Sequence, residues 1–155
     1  MAEHQSHLII KRFQAMQRWE QGSWMALNTL ITVMAYIAKR QDSPYYMVGA
    51  IVLVLFVGPK LYRLYKKKQR QLLGNNSVKL PVDWDRRMSA FTHYAGWQFI
   101  LYLAFVLAYF LPRAWAYATM AILYVVSLAL EWRVRRKQAE VAWYLQAYQP
   151  HESPD

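Results

Sequence analysis

The chain has 155 residues, 56% of them hydrophobic and 16% aromatic, and carries a formal net charge of +10. The apolar residues come in blocks with the charges between them, a distribution that excludes an ordinary soluble domain and points to a membrane protein. No cysteine is present, which excludes disulfides, thiolate nucleophiles and thiolate metal sites.

The N-terminal end, Met1 to His7, has no basic stretch leading into an apolar core and a small-residue cleavage site, so it is not expected to act as a signal peptide. Residues 6–22 read as an amphipathic arm. Ile9, Phe13, Met16 and Trp19 fall near i, i+4, i+7 spacing, and Lys11, Arg12, Gln14 and Arg18 fill the rest of each turn. Such a helix either lies in the plane of a membrane interface or packs against a bundle, and the sequence leaves both open. A first apolar run, 23–38, leads through a short turn to a second, 44–58. Asp42-Ser43-Pro44 is a helix-start signal with proline in the first turn. Gly58-Pro59 either kinks the second helix or ends it.

Residues 74–82 read as a linker, in which Gly74-Asn75-Asn76-Ser77 supplies turns. A second amphipathic stretch over 83–92 begins the series Trp84, Met88, Phe91 and Ala95, with Asp85, Arg86 and Ser89 between them. A third run, 93–111, and a fourth, 114–130, are separated by Pro112, which cannot donate a backbone hydrogen bond. A basic helical tail then continues to 148, with Val141, Leu145 and Tyr148 as an apolar stripe. Residues 149–155, with Pro150 and Pro154, are expected to be disordered.

Each apolar run is about 15–19 residues long, near the lower end of what a transmembrane helix needs. Tyr and Trp gather at their ends, where amphipathic rings prefer the headgroup level. Residues 33–40 recur 73 positions later as 106–113, and Trp24 falls on Trp97. With small gaps, Ala50-Ile51 matches Ala121-Ile122, and Lys66-Lys67-Lys68-Gln69 matches Arg135-Arg136-Lys137-Gln138. The chain therefore reads as a duplication, 1–73 and 83–148, of a helical hairpin with a basic tail.

Of the 19 Lys and Arg residues, 16 lie in the N-terminal arm, the middle segment and the C-terminal tail, and three (Lys39, Arg40, Arg113) lie in the short turns. This bias predicts cytoplasmic termini, outward-facing turns and two parallel hairpins. The expected fold is all-α: a polytopic membrane protein with four transmembrane helices as two parallel helical-hairpin repeats, plus cytoplasmic amphipathic helices. A multi-pass protein of a bacterial inner membrane is the expected location.

Residues that carry chemistry inside membranes are ionisable or polar groups within the spans. Here the candidates are Asn28, Thr32, Gln98 and Glu131, together with Ala104 and Ala108 as a small-xxx-small packing pair. Each amide is expected to make an interhelical hydrogen bond. Glu131 is expected to pair with Arg133, Arg135 or a basic residue of the arm, the alternative being a proton-coupling carboxylate. Ala114-x-x-x-Ala118 is a second small-residue pattern.

Four histidines are present, and His93 alone lies near a span, so one copy cannot supply two axial haem ligands from its bundle. His4 and His7 lack a nearby third ligand. No phosphate loop, HExxH or nucleophile elbow occurs. No cofactor is expected and no enzymatic activity.

The basic groups Lys66, Lys67, Lys68 and Arg70, and Arg135, Arg136 and Lys137, are placed to meet anionic headgroups or a partner. Nucleic acid is not expected, because the adjacent Tyr62 and Tyr65 serve better as interface anchors than as stacking platforms. The function expected is that of a small accessory or assembly subunit docking a larger membrane partner. The alternatives are a homo-oligomeric transporter or channel-like protein and a bacteriocin-immunity-type membrane protein.

Overall fold

Helix α1 (Ala2–Gln41) runs for 40 residues without a break. At 1.5 Å per residue it is about 60 Å long, roughly twice the thickness of a bilayer's hydrocarbon core. The expected arm and first span are thus one rod, and nothing turns the arm into an interface plane. The computed structural model describes residues 2–74 and 82–148, leaving out the side chains of 2–6, 85, 88–95 and 148. All the regular structure among them is helical. The linker residues 75–81, the tail 149–155, and the side chains of Met88, Phe91, Ala95 and Tyr148 lie outside this set.

α1 stops at a left-handed residue. Asp42 has φ 49°, and the Ser43 amide donates back to the Ala38 carbonyl at 3.0 Å. This is the six-to-one bond of a Schellman ending, which satisfies a carbonyl the last turn would leave bare. Asp tolerates this conformation better than most residues, though less well than Gly. Pro44 then opens α2 (Pro44–Gly74) in the first turn, where its missing N–H costs nothing.

Gly58-Pro59 neither ends nor breaks α2. The turn before it is a π-helix, Leu53–Val57, in which the Gly58 amide bonds to Leu53, five residues back. Proline cannot supply the bond to its own i−4 carbonyl and its ring crowds that carbonyl. A widened turn accommodates both faults, and the helix resumes through Gly58–Gly74.

α3 (Trp84–Ala108) ends differently from α1. The amides of Tyr109, Phe110 and Leu111 bond three residues back, at 3.1–3.2 Å, tightening the last turn. Pro112 forces this early end, since the residue before a proline avoids the helical region. α4 (Arg113–Tyr148) begins immediately after and runs for 36 residues.

α1 is the centre of the arrangement. It packs against α2 along much of its length, against α4 on another side, and against α3 near its own C-terminal end. α3 and α4 form a tight hairpin, whereas α2 touches α3 slightly and otherwise rests on α1. Two cores lie along the axis. The one beside the two hairpin turns, called the outer core, holds Leu27, Ile31, Ala35 and Ala38 of α1, Met47, Ala50 and Val54 of α2, Tyr102, Phe105 and Ala108 of α3, and Met120 of α4. Ala35 and Ala108 are both buried there. Gly49 also allows close approach: a Cβ there would run into the Met34 side chain.

The second core is built from Ile10, Phe13, Leu73, Trp84, Val141 and Leu145, with Ile9, Met16 and Leu72 against it. The rings of Phe13 and Trp84 are 6.0 Å apart and tilted by 56°. The arm therefore packs against the other helices, and the Val141–Leu145 stripe of the tail covers it. The buried stripe is Ile10, Phe13 and Gln17; Trp19, expected to share it, points outward and is 75% exposed. Asp83, Arg87 and Tyr144 close the same end: Arg87 Nε bonds Asp83 at 2.6 Å, Tyr144 OH bonds it at 3.1 Å, and the guanidinium lies 3.8 Å from the Tyr144 ring centroid.

α2 and α4 are long and apolar enough to cross a membrane. Only 22% and 17% of their most apolar windows is buried, whereas the core helix of a soluble protein would be mostly buried. α1 falls short of that measure because its apolar stretch is diluted by Asn28, Thr29, Thr32 and aromatic rings; in α3 the described apolar part is Gly96–Ala108. Both still expose large apolar side chains, among them Leu30, Val33, Ile100, Leu103 and Leu107.

The three outlying basic residues of the charge count sit at the outer turns, and two have structural partners there. Lys39 donates to the Tyr109 carbonyl at 2.9 Å, a cation at a helix C-terminus, and Arg113 pairs with Asp42.

Truncating Phe13 to Ala removes the central ring of the second core and is expected to cost about 3–5 kcal/mol locally. Hydrogen exchange should then show lost protection over 7–22 and 133–147, with 27–38 and 102–108 unchanged.

Candidate functional site

Between the two cores lies a layer of buried polar groups. Three helices contribute to it, each through a polar pair spaced i, i+4: Asn28 and Thr32 on α1, Gln98 and Tyr102 on α3, Ser127 and Glu131 on α4. That spacing sets both members of a pair on one helix face. Asn28, Gln98 and Ser127 are buried, with 1%, 7% and 0% of their surface exposed, so each needs partners inside the protein.

Ser127 is the hub. Its hydroxyl oxygen accepts from Asn28 Nδ2 and, at 3.2 Å, from Gln98 Nε2. Gln98 Nε2 also reaches Tyr102 OH at 3.3 Å, and Asn28 Nδ2 reaches Glu131 Oε1 at 3.4 Å. Two oxygens in this layer, Asn28 Oδ1 and Glu131 Oε2, are buried without a hydrogen-bond partner.

The structure thus brings together three of the sequence candidates, Asn28, Gln98 and Glu131. Glu131 departs from expectation. Its hydrogen bond goes to an amide across the bundle, and Arg135 acts on it through charge without a direct ion pair, because its carboxyl group points inward along the Ser127 face while Arg133 and Arg135 are exposed. Arg135 Nη2 lies instead against the Met25 sulfur.

Thr32 bonds within its own helix: its hydroxyl donates to the Asn28 carbonyl at 2.8 Å. Ala108 is buried and Ala104 half-buried, so this pair does face the bundle. Ala114 and Ala118 face outward, and Ala116 and Met120 pack in their place.

Ser127 and Tyr102 were invisible to a search for amides and charges. A lone serine in an apolar run carries little signal. The three i, i+4 polar pairs, each on a different apolar segment, are the pattern that would have found them.

One layer down, α1 and α2 are joined by polar contacts. Ser23 and Tyr65 hydroxyls are 2.9 Å apart, and Gln69 Nε2 donates to Glu20 at 2.7 Å. Burial pushes the Glu20 carboxyl up to about 6, against the lowering effect of its bonds from Gln69 and Trp24.

The basic groups do not converge. Lys67, Lys68 and Arg70 are exposed on α2 and Arg135, Arg136 and Lys137 on α4, with α1 between the two helices. Lys66 donates to Tyr62 OH at 3.0 Å, Arg136 lies 5.9 Å from the Trp132 ring centroid, and Lys137 pairs with Glu140 at 3.0 Å. Among the described residues, no three of His, Cys, Asp and Glu converge as a metal site would require. The side chains of His4 and His93, and all of His151, lie outside that set.

Comparison with protein-family models, curated proteins and solved structures returns no match to this chain.

Two outcomes are expected. Ser127→Ala leaves both buried amides without their shared acceptor and should cost about 1–3 kcal/mol, read as a lowered melting temperature in detergent. For Glu20 the folded protein holds the proton more tightly than the unfolded chain, so stability should fall as pH rises from 4.5 to about 6. The swing is about 2 kcal/mol, and Glu20→Gln should flatten it in melting curves taken across that range.

Proposed function

We propose that the chain is a small, non-enzymatic integral membrane protein with four membrane-embedded helices in two parallel hairpins and both termini in the cytoplasm. In this reading the outer core and the polar layer lie within the bilayer. The second core forms a helical extension on the cytoplasmic side, and the basic segments of α2 and α4 meet the headgroups. The reading is supported by apolar side chains exposed on all four helices and by the position of 16 of 19 Lys and Arg residues away from the outer turns. A bacterial inner membrane is the proposed location.

Within that reading, we propose an accessory or assembly role, in which the protein docks a larger membrane partner. The observation that carries this is the edge position of α2. A bundle helix ordinarily packs against two neighbours. α2 packs mainly on α1 and leaves Val48, Val52, Leu55 and Phe56 exposed along its membrane-length segment. Those residues recur at i, i+4, i+7, i+8, the stripe by which a helix meets another helix.

A second reading, transport by a homo-oligomer, is favoured by the buried polar layer. Against passage through one copy, Ile31, Ala35, Phe105 and Ala108 fill the bundle on the outer side of that layer.

Charge-reporter fusions at Asp42 and Pro112 should both report the outside; a cytoplasmic signal from either breaks the four-helix topology. Gentle detergent extraction followed by mass spectrometry should recover a larger membrane partner in fixed stoichiometry, and the complex should weaken when Val52 and Phe56 are replaced by Trp and Ala. Recovery of self-associated chain alone, with substrate flux abolished by Asn28→Leu, would favour transport instead.

A further inference from the structure

We propose that Glu131 binds a proton and is held as a neutral carboxylic acid in a cyclic pair with the carboxamide of Asn28, between α4 and α1. A carboxylic acid and a primary amide can make two hydrogen bonds at once. The amide N–H donates to the acid's carbonyl oxygen, and the acid O–H donates to the amide oxygen. The first bond is in place, from Asn28 Nδ2 to Glu131 Oε1 at 3.4 Å. The atoms the second bond would join are Glu131 Oε2 and Asn28 Oδ1, the two buried oxygens of this layer that lack a partner.

A donor count leads to the same place. The N–H donors of both amides are directed elsewhere: Asn28 Nδ2 to Ser127 and Glu131, Gln98 Nε2 to Ser127 and Tyr102. With Glu131 ionised, both unpartnered oxygens are acceptors, and burying two bare acceptors is costly. One proton added to Oε2 turns an acceptor into a donor and supplies both with a partner. It comes from the aqueous phase, and a carboxylate becomes a carboxylic acid.

No cationic side chain among the described residues forms an ion pair with Glu131 in place of that proton, although the charge of Arg135, one turn on, acts on its carboxylate. The ion pairs among the described residues are Arg87–Asp83, Arg113–Asp42 and Lys137–Glu140, and Glu131 is in none of them. Around it, α3 presents the Tyr102 hydroxyl and the Gln98 amide, and α4 carries Arg135 one turn on, with its guanidinium against Met25. α1 has no ionisable residue between Glu20 and Tyr36. His93 precedes Gln98 on α3, and its side chain lies outside the described set. This inference rests on the polar layer and stands apart from the docking role.

The test uses the full chain in lipid nanodiscs with isotope-labelled glutamate, followed by infrared spectroscopy across pH. A protonated-carboxyl C=O band is expected at pH 7. Glu131→Gln should abolish it, and Asn28→Leu should shift its titration toward the ordinary carboxylate range. Stability gives an independent readout. Glutamine can make both bonds of the pair, so Glu131→Gln should keep the wild-type melting temperature, whereas Glu131→Ala should lower it. The proposal is overturned if the wild-type protein at pH 7 has no protonated band that Glu131→Gln removes. It is equally overturned if Glu131→Gln destabilises as much as Glu131→Ala, since the carboxylate charge would then be what the fold requires.

Discussion

One hydroxyl oxygen fixes how three helices stand against one another. Ser127 on α4 accepts from Asn28 on α1 and from Gln98 on α3, in a place where none of the three side chains has water to turn to. Apolar contacts tolerate sliding, because one methyl group serves nearly as well as the next. A buried amide tolerates none, since a shift of one turn leaves it unpaired at a cost of about 1–3 kcal/mol. The outer core therefore gains its register from the layer beneath it. Ile31, Phe105 and Met120 meet because Asn28, Gln98 and Ser127 have already met.

Much of the architecture could be read from residues alone. The apolar blocks, the turns at Asp42 and Pro112, and the amphipathic character of 6–22 and of the tail all correspond to helices, helix ends or packed faces. Pattern resolved less at two points. Periodicity identifies an apolar face without saying what covers it, so an interface-plane arm and a packed arm looked alike until Phe13 was seen against Trp84 and Leu145. Side-chain direction was the other limit. Glu131 sits among arginines in the sequence, but a residue's neighbours along a helix point in different directions. The partner of Glu131 lies 103 positions away.

The two halves of the proposed duplication share a plan and diverge in detail. Ala35 and Ala108 occupy one core, yet α1 continues six residues past Ala35 while α3 stops at Ala108. Pro112 explains that difference, and the shorter α3 leaves its last carbonyls within reach of Lys39. Trp24 packs on the outer core, whereas Trp97 is exposed. The contacts that bind the halves together, Asn28 with Ser127 and Lys39 with Tyr109, thus join positions that the likeness does not equate.

The π-turn at Leu53–Val57 has a consequence for how α2 tolerates change in length. In an α-helix each residue added or removed rotates everything beyond it by about 100°. Such a rotation would swing Gln69 and Tyr65 away from Glu20 and Ser23 while Met47 and Ala50 stayed in place. A wide turn takes up one residue's worth of that rotation. It lets the apolar end and the basic end of α2 each keep its own face toward α1, and it makes the segment before Gly58 the place where a single-residue deletion can be absorbed.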